Sequence, residues 1–148
     1  MIRIEESERF PVSVEEGFAY VTDPERWPEF WPGLVSVAPG ARWREPGDVS
    51  RLAMRLLGRR TELVMTLQRF EPGRLVEYTT TQRGLPDARH TRGFAADGDG
   101  FRYTLGVELE PRPGLRGVLD RTLVARAVRR ALRQTLRNLA ARLGPSNA

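Results

Sequence analysis

GLRGVLDRTLVARAVRRALRQTLRNLAARL, residues 114–143, is the stretch on which the fold turns. At about 100° per residue, Val118, Ala125, Val128, Leu132, Leu136, Leu139 and Leu143 fall within a quarter turn of one another, the apolar stripe of a core-facing helix. Arg126, Arg129, Arg130, Arg133 and Arg137 gather on the opposite side, and the segment offers no carboxylate on that face to pair with them, Asp120 being its only acid. That face is expected to meet water or an anionic partner. Pro113-Gly114 breaks whatever precedes, and Gly144-Pro145 supplies a C′ glycine followed by a proline that cannot continue the helix. Leu115, Leu119 and Leu123 ride on the arginine side, a few turns earlier, as a separate apolar patch.

A helix with one apolar stripe must cover an apolar surface, and the upstream chain supplies it as strands. Residues 2–10 alternate with β-branched residues on one face, which predicts a half-buried strand ended by Pro11. Ser13 with Glu16 reads as a capping box for a helix carrying Val14, Phe18 and Val21 and ending near Thr22. Asp23-Pro24-Glu25 predicts a second short helix, aspartate at its N-cap and proline at N1, bearing Trp27, Phe30 and Trp31 between Pro28 and Pro32. Strands are predicted near 34–39, 49–57, 60–71, 74–83, 88–97 and 101–110, separated by Gly- and Pro-rich turns. Alternation points Leu52, Met54 and Leu56, then Leu63, Met65 and Leu67, then Val76 and Tyr78, then Phe101, Tyr103, Leu105, Val107 and Leu109 toward the helix.

Strand, two short helices, six strands and a long helix define an α+β class, with a curved seven-stranded antiparallel sheet around the C-terminal helix. A sheet of that width twists and curls, and one helix cannot fill its concavity. An internal pocket is therefore expected.

The 148 residues, 40% of them hydrophobic, fit a single domain over 1–148. No apolar run approaches the roughly 18 to 20 residues of a membrane span, and the charged N-terminus is unlike a signal peptide, so a cytoplasmic protein is expected. The absence of cysteine excludes disulfides, thiolate metal sites and cysteine nucleophiles; the single histidine excludes a two-histidine zinc site. There is no Gly-rich phosphate loop, and neither metal nor cofactor is expected. All 24 basic residues are arginine. The net charge of +5 is unevenly spread, because residues 114–148 carry eight arginines against Asp120 alone and the remainder is net negative.

What chemistry remains lies on inward strand positions. His90, Arg92 and Phe94 share a face, on a strand expected to pair with the one bearing Tyr78, Thr80 and Gln82; Tyr103 and Leu105 lie on the next strand, and Arg121 falls on the helix's buried stripe. Together they would make the polar end of a pocket suited to orienting a carbonyl, phenol or carboxylate. Met54, Met65 and Val128 would line its apolar walls, and Trp27 and Trp31 would close its mouth as a lid or plug it as core. His90, Arg92 and Tyr103 are the candidates for proton transfer, against the plainer reading of hydrogen-bonded structural residues.

Val21-Thr22-Asp23-Pro24-Glu25-Arg26-Trp27-Pro28-Glu29-Phe30-Trp31-Pro32, Phe70-Glu71-Pro72-Gly73-Arg74-Leu75-Val76 and the leucine-spaced final helix together resemble the polyketide cyclase/dehydrase and lipid-transport family of the START-like (SRPBCC), helix-grip superfamily. The resemblance implies a seven-stranded sheet gripping the C-terminal helix around a hydrophobic cavity. Its branches include aromatase/cyclases, coenzyme Q-binding proteins, lipid carriers, plant hormone receptors and a ribosome-targeting toxin. No residue pattern here selects a branch, so no catalytic residue is carried over. The iron ligands and iron-sulfur domain of a Rieske oxygenase subunit are missing.

Three readings follow. The first is a binder or carrier of a small hydrophobic molecule such as a lipid, isoprenoid or polyketide-like aromatic, which the residues favour over an enzyme. The second is a cyclase, aromatase or dehydratase in which His90, Tyr103 or Arg92 moves protons. The third is a module that contacts anionic membrane or RNA through Arg126, Arg129, Arg130, Arg133 and Arg137, with a homodimer contact as a further alternative.

Overall fold

Alternation in Ile2–Phe10 produces the first strand, β1, and the chain then passes through α1 (Val14–Val21), α2 (Trp27–Phe30), β2 (Leu34–Val37), β3 (Val49–Leu56), β4 (Arg59–Glu71), β5 (Leu75–Gln82), β6 (Ala88–Asp97) and β7 (Gly100–Leu109). It finishes in α3 (Leu115–Leu119), a π-helical turn (Asp120–Val124) and α4 (Ala125–Leu143), which run on as one helix. This computed structural model describes residues 1–56 and 58–144, Leu56 by its backbone alone. The inward placing of Leu56, the reach of the third strand to residue 57, and Pro145 with the polar tail lie outside the described residues.

All seven strands form one antiparallel sheet in the order β1-β7-β6-β5-β4-β3-β2. Consecutive hairpins account for every neighbour except the first, where β1 returns to pair with β7 from Ile2↔Leu109 to Phe10↔Phe101. Gly73 and Gly98, at φ 73° and 62°, supply the left-handed residue that the β4–β5 and β6–β7 turns require. Pairing slips between Leu34 and Ser36 and again between Leu67 and Arg69, and such bulges bend a sheet. The concave face buries the residues that alternation assigns to it, Leu52, Met54, Leu63, Met65, Leu67, Val76, Tyr78, Phe101, Tyr103, Leu105, Val107 and Leu109 among them.

The short helices dock at one end of this face. Ser13 Oγ accepts the Glu16 N–H at 3.2 Å, one half of the expected capping box, and α1 buries Phe18 edge-on against Phe70 and Phe94. The second helix begins later than expected. Asp23 Oδ1 accepts the Glu25 N–H at 3.0 Å and caps a turn over 24–26, and the α-helix starts only at Trp27 with Pro28 in its first turn. The side chain of Asn138, on α4, donates to the Phe30 carbonyl at 2.9 Å and ties α2 to the long helix.

The long helix departs from an ideal one at its π turn. A π turn accommodates one extra residue, which rotates everything before it by about 100° relative to a straight α-helix. Gly117 and Asp120 therefore face inward where Val118 and Arg121 were expected; Val118 and Arg121 are exposed. From Val124 onward the predicted phase holds, with Leu132, Leu136 and Leu139 buried and Ala125, Val128 and Leu143 half-buried. Gly117 passes so close to the Arg112 carbonyl that a β-carbon there would collide with it. Asp120 is fully buried and bound by Arg112, whose Nη2, Nε and backbone N–H donate to it at 2.6 to 3.2 Å. The Arg112 guanidinium holds that carboxyl below the usual carboxylate range.

The arginine face is not without carboxylates once the chain is folded. Glu6 on β1 accepts from Arg133 at 2.9 Å and Arg129 at 3.5 Å, a pairing between residues more than 120 apart that no inspection of the helix alone can find. Leu115, Leu119 and Leu123 are exposed, Leu115 at 89%. None of the described helices is long and apolar enough to cross a membrane.

Candidate functional site

Between the concave sheet and the long helix lies a cavity of about 190 Å³. Its position follows from side-chain size: the helix presents Val124, Ala127, Val128 and Ala131 to it, and residues that small leave the sheet's concavity unfilled. Met54, Leu63, Met65 and Val76 line the sheet side, and Leu85 and Pro86 of the β5–β6 turn contribute another part of the wall.

Aromatic rings form a second wall. Trp27, Trp31 and Trp43 all reach the cavity; Trp27 meets Trp31 and Trp43 edge-on with centroids 5.6 Å apart, and Trp43 meets Tyr78 at 5.4 Å. Trp27 also donates its indole N–H to the Val21 carbonyl at 2.9 Å, so it is at once core and lining. Trp43 had no signal in the strand pattern because it sits in the loop between β2 and β3. Asp48 turns that loop inward by accepting the N–H groups of Arg44 and Glu45, both at 3.0 Å.

The polar end is built on β5, β6 and β7. Register sets Tyr78 directly opposite His90 and Phe94 opposite Tyr103, with Arg92 one inward position along from both pairs. The rings of Tyr78 and His90 stack at 4.6 Å and 2°. Arg92 Nη2 donates to the Tyr78 hydroxyl at 2.9 Å, and Nη1 reaches the Thr91 and Gly106 carbonyls at 3.2 and 3.5 Å. His90 Nε2 lies 3.0 Å from Thr80 Oγ1, while its Nδ1 is buried with no partner among the described residues. Burial, reinforced by the Arg92 cation, pushes the imidazole well below its ordinary pKa, so the ring is neutral. Burial likewise raises the Tyr78 and Tyr103 phenols, which stay protonated.

Of the residues singled out from sequence, Trp27, Trp31, Met54, Met65, Tyr78, Thr80, His90, Arg92, Phe94, Tyr103 and Val128 all line this one cavity. Leu105 does not: it is fully buried in the surrounding core, because alternation fixes the face a residue points to and not its depth. Arg121 does not either, for the reason of the π turn. Gln82, Thr22 and Thr135 add polar groups to the wall, and no cluster of three or more His, Cys, Asp or Glu side chains able to hold a metal exists among the described residues.

A curved antiparallel sheet gripping a C-terminal helix over an interior cavity defines a START-like, helix-grip fold. The chain belongs to the polyketide cyclase/dehydrase and lipid transport family, whose model matches residues 1–144. No curated protein matches the sequence. Among solved structures, the fold is similar to that of TTHA0849 from Thermus thermophilus, at 18% identity and TM-score 0.79, covering 96% of this chain and 97% of that one. A START superfamily protein from Mycobacterium smegmatis aligns at 15% identity and TM-score 0.77 over 95% of this chain and 96% of that one. CalU16 from Micromonospora echinospora aligns at 19% identity and TM-score 0.68 over 97% of this chain and 76% of that one.

Proposed function

We propose that this chain binds and carries a small hydrophobic molecule in its interior cavity, as one ligand-binding domain. The observation that carries the reading is the cavity itself: apolar over most of its wall, with a few convergent polar groups at one end, the usual build of a small-molecule site. At about 190 Å³ it sits below the roughly 300–1,000 Å³ typical of drug-sized ligands, which favours a one- or two-ring aromatic, a short isoprenoid or a short acyl chain over a diacyl lipid. Extraction of the purified protein, followed by mass spectrometry, tests the reading. It expects a stoichiometric hydrophobic compound that a cavity-filled variant fails to retain, and retention by that variant would refute it.

A second reading, a cyclase, aromatase or dehydratase, is favoured by the convergence of His90, Arg92, Tyr78 and Tyr103 on one cavity. Protonated phenols beside an arginine are competent to stabilise an enolate oxygen, with the neutral imidazole next to them as a weak base. Product formation from a poly-β-ketone surrogate, lost in His90→Ala and Tyr103→Phe while binding persists, would select it. Neither reading draws on the arginine face, of whose five residues Glu6 engages Arg129 and Arg133.

A further inference from the structure

Arg92 is the only charged side chain on the cavity wall, and no Asp or Glu lines it among the described residues. Arg92 is half-buried, and its guanidinium donates only to neutral oxygens, the Tyr78 hydroxyl and two backbone carbonyls, while lying 5.4 Å from the centroid of the Tyr78 ring. No ion pair is formed with it among the described residues. A cation withdrawn from water without a counter-ion is costly, and the cost is recovered when an anion joins it.

The neighbouring groups have the same bias. Tyr78 accepts from Arg92 and keeps its own O–H proton free; the Tyr103 hydroxyl has no protein partner among the described residues, and its phenol lies close enough to Arg92 to feel the charge. The Thr80 hydroxyl finds no acceptor among the described residues other than His90 Nε2. Tyr78 and Tyr103 thus each bring an unspent donor beside the cation, at an end of the cavity that no carboxylate lines among the described residues.

Surplus donors around an unpaired cation are the complement of an acceptor-only group. We infer that the ligand of this cavity is an amphipathic monoanion, its acidic oxygens seated on Arg92, Tyr78 and Tyr103 and its apolar body against Trp27, Trp43 and Met65. The inference rests on the cavity-binding reading above and narrows its ligand class. A carboxylate and an ionised phenol or enol share this chemistry.

Calorimetric titration with 2-naphthoate, its uncharged analogue 2-naphthamide, and 2-naphthol at a pH where it is ionised tests it. Wild type is expected to prefer naphthoate over naphthamide by about tenfold or more, the scale of a hydrogen bond to a charged partner. Arg92→Gln should abolish that preference, bringing naphthoate and naphthamide to within about twofold of one another. Ionised naphthol matching naphthoate assigns the site to acidic oxygens in general, and naphthoate alone binding well assigns it to carboxylates; both support the inference. Naphthoate and naphthamide binding wild type equally well overturns it and leaves the cavity reading standing. Failure of all three probes to bind wild type overturns both. Since the wild-type comparison needs no variant, a misfolded Arg92→Gln does not blunt the test, and Tyr103→Phe, expected to weaken naphthoate selectively, provides a second one.

Discussion

His90 shows how a neighbour decides the state of a residue. Burial and the Arg92 cation disfavour its protonated form, so its pKa in the folded chain lies well below the ordinary 6.5 that an unfolded chain would restore. Below pH 6.5 the unfolded chain takes up a proton that the folded chain refuses, and stability falls as the pH falls, by up to about 1.4 kcal/mol per unit. Thermal melts between pH 7 and pH 5 should therefore show a decline that His90→Gln largely removes. The carboxylates held low by their partners, Asp48, Asp120 and Glu29, lose their own contribution only nearer pH 4, below this window. Tyr20 is displaced the other way, up to about 12, by burial and the carboxylate of Glu29 that accepts its hydroxyl at 2.8 Å, and it stays neutral throughout. That His90 and Arg92 share a face was legible from their spacing of two; that His90 is neutral was not, because it depends on burial and on the side chain beside it in the fold.

At the scale of the element, the long helix carries the largest departure from its own periodicity. Apolar spacing correctly assigned Leu132, Leu136 and Leu139 to the core, since those residues lie on one uninterrupted α-helical stretch. It failed at Val118 and Arg121 because a π turn is the solution to a contact that spacing does not contain: Asp120 must reach Arg112, and Gly117 must pass the chain just ahead of the helix. Asp120 looked like a lone acid in a basic helix and is instead its most deeply buried polar residue. Replacing it with asparagine leaves Arg112 without its counter-charge and the buried site imperfectly bonded, and chemical denaturation should report a loss of about 3 kcal/mol, typical for one broken partner of a buried pair. Arg112 also donates to the Gly84 carbonyl at 2.9 Å, so the same arginine that fixes the helix start holds the β5–β6 turn, where Leu85 and Pro86 line the cavity.

For the molecule as a whole, element order and turn chemistry were enough to specify the sheet, because from β2 onward each strand pairs with the next, through a short turn everywhere but at the β2–β3 loop, and only β1 must find a distant partner. The existence of a cavity was equally legible, as a seven-stranded sheet twists and curls and one helix cannot fill its concavity. Its full lining was not, since Trp43 arrives from a loop. Filling the space should separate stability from binding. Ala131→Leu projects added methylenes into the cavity and is expected to leave the protein as stable or up to about 1 kcal/mol more so, as cavity-filling substitutions do, while abolishing retention of ligand in calorimetric titration. The aromatic wall has a further consequence. Trp31, Trp27, Trp43 and Tyr78 touch in series at centroid spacings of 5.4 to 5.6 Å, and the chain has no other tryptophan. Their transitions are coupled, so the protein's near-ultraviolet dichroism should be that of a single composite chromophore: Trp43→Phe ought to remove more signal than one indole's share, and any molecule seated against Tyr78 ought to perturb the emission of the whole row, making the chain its own optical reporter of occupancy.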